Sequence, residues 1–372
     1  MSEIELKPAK PTLKDVAKLA GCSAAVVSAV VNNARGNVLA SEAMRKRVRE
    51  AAKKLGYRSN FASRSLVRGA TDTIGIYVPP DPGAGLGLPY EAAIVQGIEQ
   101  ACRDHGYDVL AINLSGSGSP DICFHKFAEQ RIDGLILLHV DESRCDWIVP
   151  LLKQSPNIVA VNYYGRPPVD RVNFDDETAG EIAVRHLIEQ GHRRIAYLGG
   201  VHAPRGPGSD MRCAGYQKAM KRGGLPVDPR WVWNRSRDNP HPADDTPAKS
   251  DDGGAAATHL WQLGGDRPTA ILAYSDGMAV AAIRQLKKMG CRIPQDVSVV
   301  GIDDSEVCEV VSPSLTSVRQ PFPAMGRRAT ELLIRKAKAG AQGAKGQSAP
   351  HVHELFAPEL VMRESTSAPC EN

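Results

Sequence analysis

Basic side chains are concentrated at the start of this 372-residue chain. Residues 1–70 carry 14 Lys and Arg against 5 Asp and Glu, whereas the rest of the chain carries 32 against 37. Clustered Lys and Arg release counterions when they bind a polyphosphate, so this unit is suited to an electrostatic grip on nucleic acid. The alternative is an ordinary solvated charged surface, and net charge alone does not separate the two.

Three short helices are predicted within the basic unit, because residues that favour helix starts and helix ends alternate along it. The start signals are the Thr12–Asp15 capping box, Ser23 and Ser41, and the end signals are Gly21 and Gly56. Two short helices that meet at a Gly turn are typical of a helix-turn-helix. The outer face of the second helix carries Ala24, Ala25 and Ala29, small residues that let a helix approach another molecule closely. The alternative, a helical dimerisation module, does not need such a face.

Residues 60–68, NFASRSLVR, form a short amphipathic segment after these helices. Asn60 is a capping residue, and Ala62 and Leu66 lie four residues apart on one face. Alone, a helix this short is not stable in water. We therefore expect it to become ordered on a partner, which would couple the basic unit to the rest of the chain.

From Thr73 onward, strand-like and helix-like stretches alternate. The strand-like runs are 73–78, 108–113, 133–138, 157–162, 171–174, 194–199, 269–274 and 297–302, and the helical stretches are 90–105, 177–190, 210–223, 253–263, 277–289 and 322–339. The alternation predicts βαβ units with parallel sheets. Nearly 300 residues exceed one ordinary sheet, so we expect two lobes with a ligand at the carboxyl ends of the strands.

Several other classes of protein are disfavoured by the sequence. Apolar runs such as Leu135–Leu138 are too short to span a membrane, and the first residues do not have the pattern of a signal peptide, so a cytoplasmic protein is expected. The eight Cys have no ligand-like spacing, and His351 and His353 have no further ligands nearby, so we expect no metal site. PDPGAGLGLPY is not GxGxxG and SGSGSP is not GxSxG, so neither a nucleotide cofactor nor an enzyme is predicted.

Two stretches of the basic unit, TLKDVAKLAGCSAAVVSAVVN from Thr12 and KKLGYRSNFASRSL from Lys53, resemble the start of the lactose-repressor (LacI/GalR) family of bacterial transcription regulators. Further motifs in the same order resemble that family along nearly the whole chain: TIGIYVP, RHLIEQGHRRIAYLGG, RCAGYQKAM, PTAILAYSDGMAVAAIRQLKKMGCRIPQDVSVVGIDD and PSLTSVRQP.

The resemblance implies a helix-turn-helix headpiece followed by an α/β core of two Rossmann-like lobes, similar to periplasmic binding proteins. The expected boundaries are 10–58 for the headpiece, 59–71 for a hinge helix, 72–364 for the core and 365–372 for a tail. Lobe 1 is expected at about 72–172 and 306–335, and lobe 2 at about 173–305 and 336–364.

In this family the second headpiece helix enters the major groove of DNA. The positions that the resemblance assigns to DNA binding are Thr12, Lys14, Ser23, Ala24, Ala25, Ser28, Ala29, Asn32, Asn60, Ala62 and Leu66. Members typically have Arg at the position of Ala29. Three alanines offer no hydrogen bonds to bases and can contact only thymine methyl groups, so the family's usual operator is not expected. Leu66 matches a leucine that the family inserts into the minor groove.

The resemblance also indicates where a small-molecule effector binds. Arg212 and Asp303 match the family's effector-binding arginine and a carboxylate at a strand end, while Tyr90, Asp175 and Ser275 are further candidates. An arginine facing a carboxylate suits a polyhydroxylated ligand. The alternative for Arg212 is a salt bridge between the lobes.

The expected function is a homodimeric, sequence-specific repressor that binds double-stranded DNA at a pseudo-palindromic operator. Its affinity for DNA would respond to a small polar effector, expected to be a carbohydrate. The alternative is a solute-binding protein with the same core, which the basic headpiece disfavours. No cofactor and no membrane partner are expected.

Overall fold

The computed structural model describes residues 11–32, 40–58, 65, 68–78, 89–112, 119–140, 145–199, 207–233, 252–341 and 350–370. Among these residues, no helix combines the length and apolar character that crossing a membrane requires.

Three helices form the headpiece, as the capping residues predict: α1 (Leu13–Ala20), α2 (Ala24–Val31) and α3 (Glu42–Leu55). The side chain of Thr12 accepts a hydrogen bond from the Asp15 amide and the Asp15 carboxylate accepts one from the Thr12 amide, which completes the capping box. Gly21 and Gly56 end α1 and α3 in the left-handed conformation, each with φ of 64°. Buried Val and Ala side chains from all three helices make one small core.

Lobe 1 is built on a parallel sheet with helices packed against it. Its strands, in sheet order, are β11 (His353–Phe356), β5 (Asp170–Phe174), β4 (Ile158–Val161), β3 (Gly134–Leu138), β1 (Thr73–Tyr77) and β2 (Asp108–Ile112). Its helices are α4 (Pro89–His105), α5 (Asp121–Ala128), α6 (Ile148–Gln154) and α12 (Phe322–Ala341). The strands β1, β3 and β4 are buried along their whole length, which explains their continuous apolar sequences.

Lobe 2 repeats this architecture. Its sheet order is β12 (Glu359–Val361), β10 (Thr316–Arg319), β9 (Ser298–Asp303), β8 (Ala270–Ala273), β6 (Ile195–Leu198) and β7 (Val232–Trp233), with β12 antiparallel and the others parallel. Its helices are α7 (Asp176–Glu189), α8 (Pro207–Arg222), α9 (Asp252–Gln262), α10 (Asp276–Lys288) and α11 (Val307–Val310).

The predicted lobe boundaries are wrong at the carboxyl end of the core. Residues 306–319, expected in lobe 1, include β10, which pairs with β9 of lobe 2. Residues 336–364, expected in lobe 2, include the end of α12 and β11, and β11 pairs with β5 of lobe 1. The chain therefore crosses between the lobes three times: after β5, after β10 and between β11 and β12.

The predicted tail at 365–372 also contributes to lobe 2 over its described residues, 365–370. Ser365 is fully buried, its hydroxyl donates to the carbonyl oxygen of Val299 at 2.6 Å, and it accepts a hydrogen bond from the Thr316 amide at 2.8 Å. Further along, the carbonyl oxygen of Ser367 lies 2.9 Å from Nε2 of the buried His192. This segment is thus tied to the middle of the lobe 2 sheet.

Close packing of α7 against α8 fixes the position of the central residue of the cleft described below. A Cβ atom added at Gly180 of α7 would overlap the carbonyl oxygen of Arg212 in α8, and one added at Gly215 of α8 would overlap that of Glu177. Glycine at both positions lets the two helix backbones touch.

Candidate ligand cleft and headpiece surface

Polar side chains follow the buried strands of both sheets at their carboxyl ends. His139 follows β3, Asn162 follows β4, Tyr274 follows β8, Asp303 ends β9 and Gln320 follows β10. In open α/β sheets, ligands bind outside the carboxyl ends of the strands, so these residues mark the expected cleft.

Arg212 of α8 is the centre of this cluster. Its Nε donates to Oδ1 of Asp176 at 2.6 Å, and its Nη1 donates to the carbonyl oxygen of Tyr274. The same Nη1 lies 3.9 Å from Oδ1 of Asp303. Among the described residues, Nη2 of Arg212 has no partner, although the side chain is only 12% exposed. The guanidinium is therefore held on one side and has two N–H groups left for another molecule.

Asp176 connects the two lobes. It is the first residue of α7 in lobe 2, its side chain is 2% exposed, and it accepts a hydrogen bond from the hydroxyl of Tyr164, which follows β4 of lobe 1. Both carboxylates near Arg212, Asp176 and Asp303, belong to lobe 2 as Arg212 itself does. Among the described residues, Arg212 therefore forms no salt bridge with lobe 1, and the hydrogen bond from lobe 1 to this cluster is that of Tyr164 with Asp176.

Burial controls the protonation of the groups in the cleft. It raises the pKa of Asp303 to about 8, against the opposing charge of Arg212. Burial alone would lower the pKa of Arg212, but the charges of Asp176 and Asp303 outweigh it and raise that pKa above its usual value. Burial also lowers the pKa of His139 to about 4, helped by Arg212, so this imidazole is neutral at pH 7.

One wall of the cleft is aromatic. The ring of Tyr90, in the first turn of α4, lies edge-to-face on His139 with ring centroids 4.8 Å apart, and 5.9 Å from the ring of Phe322. Burial raises the pKa of the Tyr90 hydroxyl well above its ordinary value, and the nearby Tyr274 and Asp303 raise it further. Tyr90 was predicted as a site residue, and the structure brings it to the same cluster as Arg212 and Asp303.

Three buried polar atoms in this cluster have no hydrogen-bond partner among the described residues: Nε2 of His139, Oδ1 of Asn162 and Oε1 of Gln320. Buried polar atoms are rarely left unpaired in folded proteins. The other end of Gln320 is fixed, because its Nε2 donates to Oδ1 of Asp303 at 2.7 Å. Within the described part of the chain, these three atoms are left for water or another molecule to pair.

Asp175 and Ser275, two other predicted site residues, lie at helix starts beside the cleft. The Asp175 carboxylate accepts hydrogen bonds from the amide and hydroxyl of Thr178 at 3.0 and 2.7 Å, and the Ser275 hydroxyl accepts one from the Met278 amide at 3.3 Å. Both side chains cap their helices. Arg212 is contacted by the next residue along from Asp175, Asp176, which the sequence did not single out.

The prediction also missed His139, Asn162, Tyr164 and Gln320. Each follows a strand directly or within three residues. For His139 and Asn162, the first polar residue at the end of a predicted strand was a usable signal, since the carboxyl ends of parallel strands meet at one edge, whereas Gln320 follows a strand that the sequence did not reveal.

The headpiece presents the predicted reading surface on α2, a helix with no charged residue. Ala25 is exposed, and Ala24 and Ala29 are half-buried. Lys14 of α1 is exposed and available for phosphate. The Thr12 and Ser23 side chains cap α1 and α2, while the amide of the buried Asn32 donates to the Ser28 hydroxyl at 3.2 Å. Asn60, Ala62 and Leu66 lie outside the described residues.

Comparison with known proteins identifies both parts of the chain. Residues 12–60 match the model of the bacterial regulatory proteins of the lacI family, and residues 184–366 match the periplasmic binding protein-like domain. The HTH-type transcriptional repressor PurR of Photobacterium profundum is 31% identical over 359 residues, 95% of this chain and 98% of PurR.

Two solved structures extend the likeness to the whole fold. A lac repressor dimer bound to operator and the anti-inducer ONPF is similar with a TM-score of 0.75 and 26% identity, over 96% of this chain and 99% of that one. A complex of the transcriptional regulator CelR with cellobiose has a TM-score of 0.65 and 30% identity, over 95% and 99% of the two chains. The predicted fold class, a helical headpiece joined to a two-lobed parallel α/β core, is thereby confirmed, and this chain belongs to the lacI family of bacterial regulatory proteins.

Proposed function

We propose that this protein is a homodimeric repressor whose cleft, centred on Arg212, binds a small polar effector such as a sugar and thereby changes the affinity of the headpiece for its operator. The observation that carries the proposal is that a lacI headpiece precedes a cleft in which, among the described residues, Nη2 of Arg212 and three buried polar atoms have no hydrogen-bond partner. Because its partner is chromosomal DNA, we expect the protein to work in the cytoplasm.

The DNA-binding part of the proposal rests on the headpiece. The α2 helix is expected in the major groove, with Lys14 and Ser28 holding phosphates and Ala24, Ala25 and Ala29 against base edges. A homodimer places two such helices on a pseudo-palindromic operator, as expected for a symmetric protein. The lac repressor structure described above is a dimer bound to operator.

The effector-binding part rests on the cleft. Tyr90, Arg212 and Asp303 supply an aromatic face, a cation with free N–H groups and a carboxyl group, and Asp175 and Ser275 support them from the helix starts. Such a mixture suits a ring with several hydroxyl groups. CelR, a relative in structure, was solved with cellobiose.

Selection of genomic DNA fragments on the purified protein tests the function directly. The best fragment and a random fragment are titrated over a salt series, since the phosphate contribution falls steeply with salt whereas base recognition does not. We expect a near-palindrome that binds much more tightly than random DNA at every salt concentration. Equal affinity for both fragments would contradict the proposal.

A solute-binding protein with the same core was the alternative, and it is disfavoured because residues 12–60 match the DNA-binding family. An enzyme is likewise not supported, since the relatives are transcription regulators.

A further inference from the structure

The positive charge of Arg212 is already compensated inside the protein. Asp176 lies 2.6 Å from Nε with its side chain almost fully buried and supplies the compensating charge, whereas Asp303, 3.9 Å from Nη1, has a pKa of about 8 and is mostly protonated at pH 7. An anionic ligand at Nη2 would approach a cation whose field is cancelled by a neighbouring carboxylate, and it would lose its hydration shell on entry. Attraction between unlike charges therefore contributes little at this site.

The two helix N-termini beside the cleft also carry a carboxylate of the protein itself. The N-terminus of a helix attracts anions, and both α7 and α10 begin at the carboxyl ends of strands. The first residue of each is a buried aspartate: Asp176 in α7 and Asp276 in α10. Asp276 is held by hydrogen bonds from the Ser305 amide at 2.7 Å and the Ser317 hydroxyl at 2.5 Å. Carboxylates of the protein itself therefore lie at the two helix N-termini, where a ligand phosphate would otherwise be bound most favourably.

Two of the three unpaired buried atoms in the cleft need a hydrogen-bond donor, and the third, Nε2 of the neutral His139, donates or accepts according to its tautomer. Oδ1 of Asn162 and Oε1 of Gln320 can only accept hydrogen bonds. A hydroxyl group donates to such an oxygen, whereas an ionised carboxylate or phosphate dianion has no hydrogen to donate. A buried acceptor facing an anion would stay unpaired and be repelled by it, which costs affinity.

We infer that this cleft selects uncharged, hydroxyl-bearing effectors and rejects their phosphorylated or carboxylated counterparts, and that Asp176 is the residue that sets this selection. The inference rests on the proposed function in one respect, that the cleft is where an effector binds. Asp176 acts by holding and neutralising Arg212, so it is a specificity-determining residue for charge.

Replacing one charge near Arg212 tests the inference without knowledge of the natural effector. In Asp176→Asn the side-chain oxygen can still accept from Arg212 Nε, but the negative charge is gone. Glucose 6-phosphate and inorganic phosphate are titrated into the full-length protein by calorimetry, beside uncharged glucose and cellobiose. We expect the variant to bind the phosphate probes at least about tenfold more tightly than the wild type, since a unit charge at this distance is worth more than that factor.

Two further variants test whether a gain in phosphate affinity arises at Arg212. Glu177→Gln removes a carboxylate from the same turn of α7, where it pairs with Lys218 at 2.5 Å and does not touch Arg212, so it should bind phosphate as the wild type does. Adding Arg212→Ala to Asp176→Asn should abolish the gain, and it leaves any phosphate bound by the basic headpiece as a common background. A gain that persists in the double variant, or one shared by Glu177→Gln, would overturn the inference.

Phosphate titrations of the wild type and of Asp176→Asn can also overturn the inference directly. Tight binding of glucose 6-phosphate or inorganic phosphate to the Arg212 site of the wild type would overturn the proposed selection, and so would Asp176→Asn with no gain. Should that variant not fold, Asp176→Ser removes the same negative charge beside Arg212 and must raise phosphate affinity in the same direction. These titrations use no DNA, so their failure is distinct from a failure to find an operator.

Discussion

Gly180 of α7 lies directly against the carbonyl oxygen of Arg212 in α8, with no space for a Cβ atom between the two backbones. Gly180→Ala must therefore push the helices apart and move the guanidinium away from Asp176. We expect a loss of about 1–3 kcal/mol in the free energy of unfolding, the usual cost of overpacking, together with a weaker effector response. Gly277→Ala is the matched control, because a Cβ there meets nothing within 4 Å. Urea unfolding of both variants measures the difference, and equal stabilities would contradict the packing argument.

Arg212→Ala should remove the response to effector while leaving DNA binding measurable, because Arg212 lies in the core and not in the headpiece. The operator fragment is titrated with and without the compound that shifts wild-type affinity. Loss of a buried charged donor typically weakens ligand binding by at least about tenfold. Arg222→Ala, on the same helix but exposed and paired with Glu181, is the control and should respond normally. A variant that still responds at wild-type concentrations would show that the effector binds elsewhere.

Leu66→Ala should weaken operator binding far more than binding to random DNA. A leucine wedge unstacks and bends a base step only where the duplex fits the protein, so its removal should not affect the electrostatic grip. Competition titrations on the selected fragment and a random fragment measure both affinities. Equal losses on the two would mean that Leu66 does not act as a wedge.

Asp303→Asn should make stability less dependent on pH. Burial raises the folded-state pKa of Asp303 to about 8, so the folded protein holds this proton more tightly than the unfolded chain does, whose carboxyl has a pKa of about 3.9. Its contribution to stability is full below about pH 4 and is lost as pH rises towards 8. Asn keeps the side-chain oxygen and tolerates the positive φ of 127°.

The measurement is urea unfolding of wild type and Asp303→Asn at pH 5 and pH 8.5. The free energy of unfolding of Asp303→Asn should rise relative to that of the wild type as pH increases. A difference that stays constant between the two pH values would show that Asp303 does not titrate in this range. Groups that do not interact with Asp303, including the buried His192, titrate equally in both proteins and cancel in the comparison.

Local signals in the sequence were sufficient for most of the fold. The Thr12–Asp15 capping box and Gly21 located α1, and continuous apolar runs such as 134–138 located buried strands. The strands β7, β10, β11 and β12 were missed because each has only two to four residues and none lies in a long apolar run. Strands this short have no pattern that reveals which sheet they join, and this is why the lobe boundaries after residue 305 were misplaced.

The candidate site was predicted in part for a similar reason. Arg212, Asp303 and Tyr90 were named, and the structure brings them together. Asp175 and Asp176 are adjacent acids after a strand, and only the helix geometry decides that the first caps α7 while the second contacts Arg212. His139, Asn162 and Gln320 are single polar residues whose significance appears only when the strand ends are gathered at one edge.

The three crossings between the lobes have a consequence for biosynthesis. Neither sheet is complete until its last strand has left the ribosome, which means residue 356 for lobe 1 and residue 361 for lobe 2. The headpiece, by contrast, has its own core within residues 11–58 and can fold soon after its synthesis. During translation the nascent chain thus carries a folded headpiece well before its two-lobed core is complete. A chain that ended at residue 350 would contain the headpiece but lack the last strand of each sheet.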